Sequence, residues 1–236
     1  MLRRILTIGS IASLAFAAPA FAGPITIGSG DIGSSYTINF DGFSGSSSNT
    51  IDGLTSSLTL SLDSVTSNSY TFLYDLANTT SNGLTSTVSS FAFNTDPEIS
   101  SASSTGDFSF VTLGSTYPNQ IGSVDVCFKA GGSNSCSNGG GVTTGNTGTG
   151  SLTLNFANAV DSITLSDFFV RYQAITGAGN VTSASGQEVT STSTSSGGTQ
   201  VPEPGMLGLF GLALGGLFFA RRRKQVAPAR MHYAIA

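Results

Sequence analysis

Leu58-Thr59-Leu60-Ser61-Leu62 sets apolar and polar residues in strict alternation. A period of two places the leucines on one side of an extended chain and the hydroxyls on the other. That is the pattern of a strand with one face on a core and one in water. The same alternation recurs in both directions from this point. Tyr36, Ile38 and Phe40 precede it, and Tyr70, Phe72 and Tyr74 follow a turn region at 64–69. Val88, Phe91 and Phe93, then Phe108 and Phe110, then Val124, Val126 and Phe128 continue the series. Leu152, Leu154 and Phe156, Ile163 and Leu165, and Phe169, Val170 and Tyr172 complete it. Each run is short and bounded by Gly, Asn, Asp or Ser. The pattern predicts an all-β fold, an antiparallel β-sandwich or jelly-roll-like domain. Residues 131–150 and 177–200 lack apolar periodicity and read as loops, and 189–200 reads as a Ser/Thr/Gly linker. The domain is therefore expected to span 23–188.

Both ends of the 236-residue chain differ from this middle. Arg3 and Arg4 precede an apolar run, and Ala20-Phe21-Ala22 supplies small residues at a cleavage position. Residues 1–22 read as a signal peptide forming a signal helix, cut between Ala22 and Gly23 by signal peptidase. A retained membrane anchor is the alternative, but the run is shorter than the ~20 residues a span needs. At the other end, Val201-Pro202-Glu203-Pro204 stops any strand and holds the backbone extended. Residues 205–220 are uncharged and mostly apolar, and predict a single transmembrane helix about 24 Å long. Arg221, Arg222, Arg223 and Lys224 close it. Adjacent bases after an apolar span place that end in the cytoplasm. Residues 225–236 would then be a cytoplasmic extension, with the domain across the membrane.

The formal net charge of −4 conceals a sharper asymmetry. Residues 23–200 hold twelve acids and two bases, Lys129 and Arg171, for a net of −10. Such a domain has no electrostatic affinity for nucleic acid. Cys127 and Cys136 are the only cysteines. An even count in an exported chain favours a disulfide over a metal site.

The tail resembles the PEP-CTERM sorting signal of Gram-negative bacteria, a segment also named after an ice-binding protein C-terminal domain. Pro202, Glu203, Pro204 and Arg221 to Arg223 carry the resemblance. It implies an exosortase, a membrane-embedded cysteine peptidase, as processing partner. It implies a chain tethered only transiently in the inner membrane and then delivered to the cell surface or released, in species that make exopolysaccharide. The twelve residues after the basic cluster depart from the usual tail. The stretches Val124 to Phe128, Gly131 to Cys136, Gly139 to Gly141 and Asp167 to Gln173 resemble the cistern family of PEP-CTERM proteins. That resemblance supports the cysteine pair without implying an activity.

Catalytic chemistry finds little support in these residues. The single histidine, His232, lies in the tail, which excludes a Ser-His-Asp triad in the domain. A Ser-Lys dyad would rest on Lys129 alone. Paired carboxylates are conceivable by count, but Asp41-Gly42, Asp52-Gly53 and Asp161-Ser162 read as turn chemistry. No catalytic residue, metal ligand or cofactor is therefore assigned. A structural calcium site is the open alternative, with oxygen ligands abundant but no calcium-loop motif present. Arg171 and Tyr172 are candidate ligand contacts, Arg171 as a bidentate anchor for an acidic sugar. Their ordinary alternatives are a strand arginine paired with an Asp and a core tyrosine. The expected role is a structural or adhesive protein of the cell surface or extracellular matrix, not an enzyme. A glycan-binding sandwich facing exopolysaccharide is the alternative, and a secreted hydrolase stands behind both. Exposed tyrosines beside Arg171 would favour the glycan reading, and a smooth Ser/Thr surface the structural one.

Overall fold

The alternating segments form antiparallel strands in a computed structural model, which describes residues 23–136 and 139–194. The strands are β1 (Ile25–Gly28), β2 (Ser35–Phe43), β3 (Thr50–Val65), β4 (Ser69–Asn78), β5 (Thr85–Asp96) and β6 (Ser101–Ser104). They continue with β7 (Phe110–Tyr117), β8 (Gly122–Lys129), β9 (Val142–Thr143), β10 (Thr147–Asn155), β11 (Ser162–Thr176) and β12 (Ala184–Thr194). Two short 3-10 turns, Ser29–Asp31 and Gly106–Phe108, are the helical elements among the described residues. No helix there is long and apolar enough to cross a membrane. The signal helix expected at 1–22 and the transmembrane helix expected at 205–220 lie outside the described residues.

The main path of the sheet runs β6-β10-β4-β3-β2-β12-β11-β5-β8-β7, with β1 on β11 and β9 on β5. A sandwich implies two separate ladders; here one hydrogen-bonded ladder connects both halves. The halves nevertheless face each other across one core. Tyr74 of β4 packs its ring 5.5 Å from Phe91 of β5, and Ser56 of β3 meets the Tyr172 hydroxyl of β11 at 2.7 Å. The join is β2-β12-β11, where register shifts at Asp41/Phe43 and Glu188/Thr190 insert bulges. Bulges bend a strand and increase its twist, so a continuous sheet can fold back on itself. Gly42 and Gly186 pair across this join. A Cβ on Gly42 would lie 2.4 Å from Leu54, and one on Gly186 2.6 Å from Val170. Core side chains occupy the room that a side chain at either position would need.

Several local expectations are corrected. The linker expected at 189–200 is strand as far as Thr194. Thr190, Thr192 and Thr194 stand opposite Asn39, Thr37 and Ser35 of β2. Backbone pairing needs no apolar side chain, and threonine suits a strand. β12 also covers what would be an open edge of β2. Likewise the loop expected at 131–150 contains β9 and the start of β10. Asp41-Gly42 lies inside β2 and Asp52-Gly53 inside β3, not in turns. Gly53 is left-handed, at φ +81°, because the Ser81-Asn82 turn approaches it so closely that a Cβ would touch both. Asn82 Nδ2 donates to Asp52 at 2.9 Å in the same contact. Phe108, expected to begin a strand, ends a 3-10 turn with its ring buried.

Candidate functional site

Two surfaces result from the two halves of the sheet. Across β2, β3, β4 and β10 the outward residues form rows. Ser35, Ser61, Leu73 and Ser151 share one row, and Thr37, Thr59, Asp75 and Thr149 the next. Hydroxyls bond across the strands, Ser35 to Ser61 at 2.8 Å, Thr37 to Thr59 at 2.9 Å and Thr71 to Thr153 at 3.0 Å. No lysine or arginine interrupts these rows. The face is thus built of short side chains that lose little entropy when another surface docks on them.

The outer side of β5, β8 and β11 is covered instead. Ala92, Tyr117, Val124, Cys127 and Cys136 form a second small apolar cluster, with Ile121 and Phe169 packed on it. Cys127 and Cys136 are joined as a disulfide with Cα atoms 6.0 Å apart. Ser90 ties this loop down by donating to the Cys136 carbonyl at 2.8 Å. The Tyr117 hydroxyl lies 3.1 Å from the same serine. Burial raises the Tyr117 pKa, so its phenol stays protonated.

Arg171 is buried beside Tyr117 of this cluster, and among the described residues no carboxylate pairs with it. The expectation of an Asp partner is overturned. With its carboxamide turned to satisfy its surroundings, Asn119 accepts from Arg171 Nη1 at 3.0 Å and from the Ser185 backbone N–H at 2.8 Å. Arg171 Nε has no hydrogen-bond partner. Burial lowers the Arg171 pKa, and Tyr117 opposes that shift. Tyr172 is fully buried, with its hydroxyl on Ser56. Its burial, which raises its pKa, removes it from any surface where a ligand could touch it. Arg171 and Tyr172 are adjacent in sequence and so serve opposite sides of the sheet, as the period of two along β11 requires, with Phe168, Val170 and Tyr172 in the main core and Phe169 in the second cluster. All five tyrosines of the domain, Tyr36, Tyr70, Tyr74, Tyr117 and Tyr172, are buried.

Beside Arg171 opens a pocket of about 250 Å3. Asn119, Gln120 and Gln187 contribute carboxamides, and Phe43, Ile121 and Phe169 contribute apolar surface. Asn119 and Gln120 belong to the β7–β8 hairpin turn and both are left-handed, at φ 61° and 65°. They sit in the four-residue connection 118–121 between the paired Tyr117 and Gly122. A non-glycine residue in the left-handed region costs on the order of 1 kcal/mol or more. Sequence reading singled out Arg171 but not Asn119, Gln120 or Gln187. The Asn-Gln turn was the available signal, though only the fold brings Gln187 beside it.

The remaining candidates resolve simply. Lys129 is buried and bonds Thr112 Oγ1 and the Ser133 carbonyl. It bonds no serine hydroxyl among the described residues, and burial lowers its pKa. Among the described residues no group of three or more His, Cys, Asp or Glu could hold a metal ion. Glu188 stands apart from the other acids. Burial, reinforced by Asp167, pushes its pKa up to about 7 despite an opposing hydrogen bond from the Phe168 backbone.

Ala22 and Gly23 flank the expected cleavage point, and Ala22 lies outside the described residues, as do Val201 to Pro204 and Arg221 to Lys224. Comparison with known families reaches this tail. Residues 200–224 match the model of the PEP-CTERM protein-sorting motif. Neither a curated protein nor a solved structure matches the chain. Such a motif implies an exported protein sorted through an exosortase. The chain thus carries a PEP-CTERM protein-sorting motif across residues 200–224.

Proposed function

We propose that the domain is a structural or adhesive component of the cell surface or extracellular matrix, delivered there by its sorting signal. The observation that carries this reading is the outer face of β2, β3, β4 and β10, with its hydroxyl rows free of long charged side chains. A sheet face of mostly short polar groups, with Leu73 exposed among them, suits broad, repeated contact more than capture of one reactive substrate. The burial of every domain tyrosine supports the same reading over glycan stacking on that face. The resemblance to the cistern family belongs with this proposal, as does signal peptidase removal of residues 1–22. Export through the inner membrane, a transient tether by residues 205–220 and release or surface retention after exosortase action complete it.

The test compares the producing host with a strain lacking this chain and a strain lacking its exosortase. Intact-mass analysis should find a mature form without Arg221 to Lys224 in the wild type and an uncut tail without exosortase. Cell–cell cohesion should fall in both mutants. Unchanged cohesion in the strain lacking this chain sinks the adhesive role. A tail that persists in wild-type cells sinks the sorting step.

A further inference from the structure

We infer that the pocket between the β7–β8 hairpin and β12 is a binding site for a single neutral sugar ring. This goes beyond a general adhesive role, since it assigns a site, a ligand class and the residues that read it. The lining is uncharged throughout. Three carboxamides and the serines of the β2–β3 turn, Ser46 among them, surround apolar surface from Phe43, Ile121 and Phe169. A pyranose has the matching character, hydroxyls at its rim and C–H bonds on its faces. Ligand sites of this kind pair a mostly apolar surface with a few placed polar groups. The volume of about 250 Å3 lies just below the ~300–1,000 Å3 of pockets that take drug-sized ligands. One ring fits that scale better than an extended chain.

The polar groups are held in place. Asn119 accepts from Arg171 Nη1 and the Ser185 N–H, so its carboxamide cannot rotate freely; its NH2 is the group assigned to the ligand. Arg171 is therefore a positioning residue that acts through Asn119. This explains a buried cation without a counter-carboxylate. The left-handed backbone at Asn119 and Gln120 lies at the same pocket, and strain of that kind gathers at functional sites. Gln187 enters from β12, opposite Phe169 of β11. An acidic sugar fits less well. The guanidinium is turned to Asn119 behind the pocket wall, and the domain's net charge of −10 repels anions.

The experiment is a binding titration of the processed chain purified from its host. The probes are methyl glucoside, methyl galactoside and methyl mannoside, with galacturonate as the acidic counterpart. At least one neutral glycoside should bind and galacturonate should not. Asn119→Asp keeps a partner for Arg171 but removes the NH2 donor. It should leave the melting temperature unchanged or higher and weaken binding about tenfold, the cost of one lost hydrogen bond. Gln187→Ala, at the pocket wall, should weaken binding similarly without unfolding the domain, and serves as the second variant should Asn119→Asp fail to fold. The assignment is overturned if no neutral glycoside binds, if galacturonate alone binds, or if binding is indifferent to the variants that fold.

Discussion

Glu188 shows how one side chain records the fold around it. Its carboxyl is partly buried on β12 beside Asp167, and its pKa rises from the ordinary 4.5 to about 7. One carboxylate oxygen, Oε2, is buried without a hydrogen-bond partner. The folded state thus binds this proton more readily than the unfolded chain. Stability from this group is fully present below about pH 4.5 and is lost as pH rises through about 7. Glu188→Gln should match the wild type near pH 4 and exceed it near pH 8. Urea midpoints at pH 4, 6 and 8 would check this, and identical pH profiles for the two proteins would refute it. Residue identity alone foretold neither this nor the fate of Arg171. An arginine in an acidic domain suggests an Asp partner, whereas the outward side of β11 carries this one to Asn119 of the β7–β8 turn.

At the scale of elements, alternation located the core strands well, and composition misjudged the polar ones. Tyr36 to Phe40 and Leu58 to Leu62 became β2 and β3 because their inward residues are apolar. β12 carries no such signal in its second half, and its place comes from pairing with β2 over nine register positions. The cysteine loop is an element of a different kind. It spans a sequence separation of nine, and closing so short a loop restricts the unfolded chain by roughly 2–3 kcal/mol. The Cys127→Ala/Cys136→Ala double variant should lose about that much stability in chemical denaturation. Non-reducing peptide mapping should link Cys127 to Cys136 in the native protein. Equal stability with and without the bond would show that the loop is held by Ser90 and the apolar cluster instead.

For the molecule as a whole, one aromatic assembly unites the two halves of the sheet. Phe91 is its hub, with ring centroids 5.1 Å from Phe128, 5.3 Å from Phe108 and 5.5 Å from Tyr74. Phe91→Ala would open a cavity where both halves meet and should cost about 3–5 kcal/mol. Thermal or urea unfolding measures this, and a loss under ~1 kcal/mol would mean that the halves repack without it. The sequence by itself determined the β class, the inward residues of most strands, the cysteine pair and the sorting tail. Each is local: a period of two, a pair of thiols or a contiguous motif needs no partner to be recognised. The tertiary structure decided that one ladder, not two, surrounds the core. It also decided that the tyrosines are interior, that β12 closes β2, and that Gln187 meets Asn119 beside a buried arginine. Those facts depend on bulges, glycine contacts and strand neighbours far apart in the chain, and no local pattern encodes which strand lies next to which.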